Sequence, residues 1–181
     1  MVLTYILIAL AIIIGIVVVV VAMRPADFRV ERSAAISAPA SALFGQVNDF
    51  HKWEAWSPWA KLDPAARNSF EGPPSGAGAT FRWSGNNKVG EGSMSITESR
   101  PSELVRLRLE FLRPFKATNT AEFTFKPNGD QTLVSWSMSG KNNFMSKAFG
   151  LFVDCEKMVG GQFEKGLSQL RSVVESVPHL A

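Results

Sequence analysis

An uncharged, almost wholly apolar segment at the N-terminus is the feature that most restricts this chain. It covers Val2–Met23 and is interrupted only by Thr4, Tyr5 and Gly15. As a helix that rises about 1.5 Å per residue it extends roughly 33 Å, enough to cross the hydrocarbon core of a bilayer. The segment is therefore predicted to be a transmembrane helix.

This segment has two interpretations, a retained anchor and a cleaved signal peptide. A signal peptide usually has a shorter apolar region, a cationic stretch before it and a small-residue cleavage site after it. Here no Lys or Arg precedes Val2, and Val21-Ala22-Met23 is a poor cleavage site. We therefore expect a retained single-pass anchor in the plasma or inner membrane.

The charges beside the anchor bear on its orientation. Arg24, Arg29 and Arg32 follow the helix, whereas only the terminal amine precedes it. The positive-inside rule then favours a cytoplasmic C-terminal domain. Asp27 and Glu31 reduce this bias, so the side of the membrane stays open.

Charge and cysteine content exclude several classes of function. The chain has 19 Lys and Arg against 16 Asp and Glu, a net charge of +3, and the basic residues are scattered. Nucleic-acid binding needs a concentrated basic surface, so no nucleic-acid partner is expected. Cys155 is the only cysteine, which rules out an intramolecular disulfide and argues against a cysteine-ligated metal. No metal or cofactor is expected, and the oligomeric state stays open.

Most of the chain after the anchor shows the alternation of apolar and polar residues that is typical of half-buried strands. The first such stretch is Phe28–Ser37, and a short helix with Pro39 in its first turn follows it. Trp53 and Trp56 are spaced for one side of another short helix, with Trp59 nearby. Five further alternating stretches follow, centred on Phe81 and Trp83, Met94 and Ile96, Val105–Phe111, Ala121–Phe125, and Val134–Met138.

The C-terminal part of the chain has helical periodicity. Apolar residues recur at steps of three and four from Phe149 to Val177, and Gly160-Gly161 interrupts this stripe. The two glycines predict either a kink or a close approach to the helix backbone.

These elements predict an α+β fold in which a curved antiparallel sheet wraps around one long C-terminal helix. Large aromatic residues occupy the apolar face of the predicted sheet. They either line a chamber for an apolar ligand or simply fill the core, and the spacing alone does not decide between the two.

Four stretches carry a resemblance to a known superfamily. They read FRVERSAAISAPASALFGQVNDF, NDFHKWEAWSPWAKLDP, NTAEFTFKPNGDQTLVSWSMSG and FMSKAFGLFVDCEKMVGGQFEKGL. With these stretches the chain resembles the START-like or birch-allergen-like superfamily, specifically its polyketide cyclase/dehydrase and lipid-transport branch. The resemblance covers Phe28 to about Val177.

The resemblance implies a helix-grip fold with a deep hydrophobic cavity between the sheet and the C-terminal helix. It divides the chain into an anchor at 1–23, a linker at 24–27, a START-like domain at 28–177 and a tail at 178–181. The expected ligand-binding residues are Phe81, Trp83, Met94, Ile96, Leu107, Leu109, Phe111, Phe123, Phe125, Trp136, Met138, Phe152, Val159 and Phe163.

Catalytic residues are harder to identify. A cyclase needs a proton donor or acceptor inside an apolar pocket, and the main candidates are Glu156, His51 and Glu98, with Arg82 and Asn119 near the same registers. Each has a structural alternative: Glu156 reaches past the rim to water or to a cation, and His51 packs or caps a short helix. The three tryptophans form either a buried plug or a gate over the cavity mouth.

The sequence is compatible with three functions. The first is a membrane-tethered carrier or sensor for a hydrophobic small molecule or lipid, without covalent chemistry. The second is a cyclase or dehydratase acting on a polyketide-like substrate, and the third is an interaction domain with a vestigial pocket. The family resemblance favours the first but does not carry the chemistry of the second, because function depends on the site.

Overall fold

A computed structural model describes residues 2–151 and 154–176 of the chain. The predicted ligand residue Phe152 and the histidine His179 lie outside the described residues. The elements are α1 (Val2–Met23), β1 (Asp27–Ile36), α2 (Ala40–Val47), a 3-10 turn (Phe50–Lys52), α3 (Trp53–Trp56), β2 (Arg67–Glu71), β3 (Thr80–Ser84), β4 (Glu91–Arg100), β5 (Leu104–Arg113), β6 (Ala117–Asn128), β7 (Gln131–Lys141), α4 (Phe144–Phe149) and α5 (Cys155–Glu175).

The chain divides into two compact units. The first unit combines residues 1–28 with 141–155 and contains α1 and α4. The second combines residues 29–140 with 156–181 and contains most of the sheet and α5.

In the first unit, α1 has the length and composition of a membrane span, with a mean hydropathy of 3.5. Only the length and composition of a helix decide whether it qualifies as a candidate span, and a signal sequence near an N-terminus qualifies too. The side chains of α1 are exposed along its length except at Val21.

In the second unit, seven antiparallel strands form one curved sheet in the order β1-β7-β6-β5-β4-β3-β2. Strands β2 to β7 follow one another as neighbours, so each connects to the next by a hairpin. Gly129, at a φ of 60°, forms the tight turn between β6 and β7, as the Asn128-Gly129-Asp130 sequence predicts. The α+β helix-grip architecture predicted from the sequence is confirmed.

The two faces of the sheet differ in polarity, as the alternation predicts. The inner, concave face carries the buried apolar residues, including Leu107 and Phe123. The outer face carries ion pairs, of which the pairs made by Arg106 with Glu98 and Glu122 join three adjacent strands. The hydrogen bond to Glu122 raises the pKa of Arg106 above its ordinary value, so Arg106 stays protonated.

The C-terminal region is divided differently from the single stripe that the sequence suggests. One helix, α4, ends at Phe149, and a new one, α5, begins at Cys155. Helix α5 continues through Gly160 and Gly161, and the guanidinium of Arg32 lies against Gly160. Of the two roles considered for this glycine pair, Gly160 therefore serves close approach.

Candidate functional site

The inner face of the sheet has two halves that differ in how well they are covered. The sealed half lies on β6 and β7, where Phe123 and Trp136 are almost completely buried. The open half lies on β3, β4 and β5, and its large apolar side chains remain partly accessible. The residues of the open half are Phe81, Trp83, Met94, Leu109 and Phe111.

Aromatic rings fill the sealed half. The ring of Phe163, from α5, stacks on the indole of Trp136 with centroids 4.2 Å apart and an angle of 11° between the planes. Phe123 packs on the same indole at 4.6 Å. Trp59 meets Trp136 edge-on at 5.8 Å. This half is a packed core in which α5 and the sheet are in direct contact.

The short helix α3, which lies between β1 and β2 in the chain, covers the sealed half. Its two indoles, Trp53 and Trp56, lie 4.7 Å apart and both are buried. The Trp53 Nε1–H donates to the carbonyl of Val47 at 2.8 Å, which satisfies the buried donor. Of the two roles considered for these tryptophans, the buried plug describes Trp53 and Trp56.

The open half is a continuous apolar surface built by the strand register. Phe81 is opposite Met94, Met94 is opposite Leu109, and Leu109 is opposite Asn119, so the four form one row across β3 to β6. A second row holds Trp83 and Phe111, whose rings meet edge-on at 6.0 Å. The first row is therefore apolar at Phe81, Met94 and Leu109 and ends in the amide of Asn119.

Gly92 makes the second row possible. A Cβ at this position would lie 2.6 Å from Cζ2 and 2.8 Å from Cη2 of Trp83, so the indole lies flat across the glycine. The Trp83 Nε1–H donates to the carbonyl of Val89 at 3.0 Å, which fixes the ring in this pose. The alternation of the predicted strand does not single out Gly92, and an isolated glycine at the start of an alternating strand is the feature that could have indicated it.

Asn119 brings hydrogen-bonding capacity to this largely apolar region, and two glutamines of α5 have buried amide oxygens. Asn119 is 8% exposed, and its Nδ2 has a weak contact of 3.9 Å with the sulfur of Met138. On α5 the Oε1 of Gln162 is buried without a hydrogen-bond partner, and so is that of Gln169. A buried acceptor without a partner costs about 1–3 kcal/mol, which a suitable donor would recover.

The predicted ligand-binding residues divide between the two halves. Five of them belong to the open half, and Val159 of α5 is also half-buried. These five are Phe81, Trp83, Met94, Leu109 and Phe111. Others are almost fully buried in the packed core. The packed residues are Ile96, Leu107, Phe123, Phe125, Trp136, Met138 and Phe163.

The candidate acid–base residue Glu98 faces away from the concave side. Strict alternation after Met94 and Ile96 places Glu98 on the inner face, but β4 has a bulge between Ile96 and Glu98. The extra residue reverses the side on which Glu98 points. Glu98 then pairs with Arg106 and Arg100 on the outer face. Arg82 is also on the outer face, where Glu71 holds it at 2.9 Å and raises its pKa.

Glu156 follows its structural alternative. Its side chain is 58% exposed and bonds Nη1 of Arg32 at 2.8 Å. Arg32 also bonds Glu164 at 2.7 Å, so one arginine of β1 holds two carboxylates of α5. These hydrogen bonds raise the pKa of Arg32 above its ordinary value. The arrangement joins β1 to α5 and does not direct a carboxylate toward the open half.

His51 lies at the surface beside the edge strand β2. Its Nδ1 is 3.0 Å from Oδ1 of Asp49, and its ring stacks on Phe70 at 4.1 Å. It lines a surface depression of about 270 Å³ together with Phe50, Gly72 and the prolines that follow. Another depression, of about 410 Å³, lies between the Ser37–Ala40 segment and the β6–β7 turn. Neither depression is lined by residues of the open half.

A known protein family matches this chain. A sequence profile described as polyketide cyclase/dehydrase and lipid transport matches residues 27–175. The chain belongs to this family. No curated protein matches the chain at a significant level.

Solved structures show the same fold at low identity. Protein MLL2253 from Mesorhizobium loti superposes with a TM-score of 0.62 at 16% identity, over 83% of this chain and 99% of that one. The Aha1 dimer from Colwellia psychrerythraea gives a TM-score of 0.60 at 14% identity, over 82% and 97%. The protein Ara h 8.0201 gives 0.59 at 12% identity, over 83% and 99%. At these identities the likeness concerns the fold alone, and the family is one of ligand-binding or cyclase/dehydrase-like proteins.

Proposed function

We propose that this protein is a membrane-anchored carrier or sensor that binds an apolar small molecule or lipid at the open half of its sheet, without covalent chemistry. The observation that carries the proposal is the partial exposure of Phe81, Trp83, Met94, Leu109 and Phe111 on one continuous surface. Elsewhere on the inner face, large side chains of the same kinds are fully covered.

Leaving these apolar side chains in contact with water costs free energy. Covering a large apolar side chain contributes about 1.5–3 kcal/mol. A ligand that covers several of them therefore gains enough for useful affinity even after the entropic cost of association. Asn119, at the end of the row, would serve a polar group of such a ligand.

The position of the titratable candidates favours binding over catalysis. Glu98 and Glu156 are engaged in surface ion pairs with arginines. His51 is 53% exposed and pairs with Asp49, and the ring of Phe70 lies between it and Phe81 of the open half. A cyclase would need such a group within hydrogen-bonding distance of an enclosed substrate, and the described residues of the open half are apolar apart from the Asn119 amide.

The test of ligand binding uses a fluorescent fatty acid, dansyl-undecanoic acid, and the full chain in lipid nanodiscs. Energy transfer from tryptophan to dansyl reports binding close to the domain, and empty nanodiscs give the background. We expect saturable binding that Leu109→Gln weakens about tenfold or more, because the substitution places an amide on the apolar row.

Leu112→Gln is the matched control, since it makes the same change in the same strand at an exposed position. We expect it to bind as the unmodified chain does. Equal affinity of Leu109→Gln and Leu112→Gln, with both proteins folded, would refute the open half as the binding site. The absence of saturable transfer for the unmodified chain, together with no apolar species in organic extracts of the protein, would refute the carrier function.

The anchor is tested separately. We expect the intact mass of the membrane-extracted protein to include Val2–Met23, and the protein to stay with membranes washed at alkaline pH. A mature chain that lacks this segment would identify it as a cleaved signal peptide, and binding of the fatty acid by the remaining domain would be unaffected by that result.

A further inference from the structure

We propose that α4 is a second membrane contact, an interfacial helix that lies at the bilayer surface where α1 leaves it. This inference rests on the anchor that forms part of the proposed function. It adds a partner, the lipid of that same bilayer, for a surface that nothing above assigns. Both helices, α1 and α4, lie in the first compact unit.

The first step is the position of α4 relative to the end of α1. The two helices are in contact. Arg24, the residue after α1, donates from Nη1 to the carbonyl of Gly150 at the C-terminal end of α4, with a distance of 2.6 Å. The amide N–H of Asn142 donates to the carbonyl of Ala26 at 2.7 Å. Both ends of α4 are therefore held beside the first residues that follow the span.

The second step is the depth at which this places α4. Helix α1 has about the length that the hydrocarbon core requires, roughly 33 Å against about 30 Å. If α1 spans the bilayer, Met23 lies at the boundary and Arg24 lies among the headgroups. Because Arg24 bonds the end of α4, this helix lies within a few ångströms of the interface.

The third step is the surface that α4 presents. Phe144, Met145 and Phe149 are 51%, 60% and 48% exposed. At about 100° per residue they fall within an arc of about 140°, and Lys147 lies about 160° from Met145 and Phe149 and about 60° from Phe144. Asn143 fixes the start of the helix, since its side chain accepts from the N–H of Ser146 at 2.8 Å. A short amphipathic helix of this kind buries its apolar side in the acyl boundary.

The bilayer is the occupant that this surface fits, because the surface is continuous with the span. Three large apolar side chains on one side of six residues need a cover, and the lipid around the end of α1 is already in place to provide it. The charged residues of the same unit are Arg24, Lys141 and Lys147 with Asp27 and Asp154, so the fit depends on apolar burial rather than on a strong basic charge.

The experiment measures the depth of single nitroxide labels in the full chain, in vesicles of phosphatidylcholine and phosphatidylglycerol. Labels are attached at Ile13→Cys, Met145→Cys and Lys147→Cys in a Cys155→Ser background. Relaxation by oxygen, which concentrates in the bilayer, is compared with relaxation by a nickel chelate, which stays in water. We expect the labels at 13 and 145 to favour oxygen, 145 at the shallower depth, and the label at 147 to favour nickel relative to 145.

A label at Phe149→Cys repeats the measurement on the same side of α4 and replaces Met145→Cys if that variant fails to fold. The inference is overturned if labels at 145 and 149 respond to nickel as strongly as the label at 147, or are shielded from both reagents, while the label at 13 favours oxygen. A label at 13 that favours nickel would overturn the anchor itself, and this inference with it.

Discussion

The ring of Phe163 lies almost parallel to the indole of Trp136, with their centroids 4.2 Å apart. This stack joins the middle of α5 to the middle of β7 and thereby fixes how closely the helix approaches the sheet. Trp59 touches both rings, at 5.8 Å from Trp136 and 6.4 Å from Phe163. The sealed half of the inner face is thus the support on which the open half depends.

Replacing Phe163 with alanine is expected to lower the free energy of unfolding by about 3–5 kcal/mol, because it removes a fully buried ring and leaves a cavity beside Trp136. Urea titration of the full chain in a mild detergent, followed by tryptophan fluorescence, measures the change. Phe115→Ala serves as the control, since Phe115 is exposed, and its effect is expected within about 0.5 kcal/mol. Similar losses for both variants would show that the stack does not hold α5.

Two glycines of α5 are expected to respond to alanine in opposite directions. A Cβ at Gly166 would lie 2.6 Å from Cζ3 of Trp136 and 3.1 Å from Cδ of Pro58, whereas a Cβ at Gly161 meets nothing within 4 Å. Gly166→Ala should destabilise the domain by about 1–3 kcal/mol through overpacking. Gly161→Ala should stabilise it by about 0.5–1 kcal/mol through helix propensity. Thermal unfolding of both variants side by side decides the matter, and a shift of the same sign for both would contradict the packing at Gly166.

The sequence was sufficient for the architecture because alternation and helical spacing are strong where one face is buried. The five stretches from Phe81 to Met138 follow a period of two, and each is a strand in the structure. Strand β2 is different: Arg67–Glu71 is an edge strand with every residue exposed, so burial imposes no pattern on it. The alternating pattern therefore predicts no strand at these positions.

The candidate site was less predictable, for a local reason and a long-range one. The local reason is the bulge after Ile96, which reverses the side of Glu98 and which no alternating pattern reveals. The long-range reason is that coverage depends on contacts between distant segments. Phe81 and Phe123 look alike as strand residues, but the two indoles of α3 pack on the second, and spacing carries no information about that difference.

Arg32 is expected to contribute to stability through its two carboxylates on α5. Arg32→Met keeps the aliphatic stem but removes both ion pairs, so the melting temperature should fall, by less than for Phe163→Ala, and the difference should shrink as salt is added. Arg29→Met is the control, because Arg29 pairs with Glu31 of its own strand. A deficit that salt leaves unchanged would mean that packing against Gly160, rather than charge, is what Arg32 supplies.

The pH dependence of this contribution has a definite sign. The carboxylates of Glu156 and Glu164 raise the pKa of Arg32 above its ordinary value in the folded chain. The stabilisation from the arginine is therefore complete below the pKa of arginine in the unfolded chain and is lost only as the pH rises through the higher folded pKa. Between about pH 6 and about pH 10, Arg32 stays protonated in both the folded and the unfolded chain. Its protonation should therefore contribute no change in the melting temperature over this range.

Asn119 is expected to serve binding at some cost to stability. Its amide is 8% exposed and reaches only the weak sulfur acceptor of Met138, so Asn119→Leu should leave the free energy of unfolding unchanged or raise it by about 1 kcal/mol. The same substitution should weaken binding of dansyl-undecanoic acid, because the carboxylate of the probe loses a donor at the end of the apolar row. Asn87→Leu, in the exposed β3–β4 turn, makes the matched change away from the site. A stabilised variant with unchanged affinity would show that Asn119 does not contact the probe, and a variant destabilised by more than about 1 kcal/mol would show that the amide has a structural role instead.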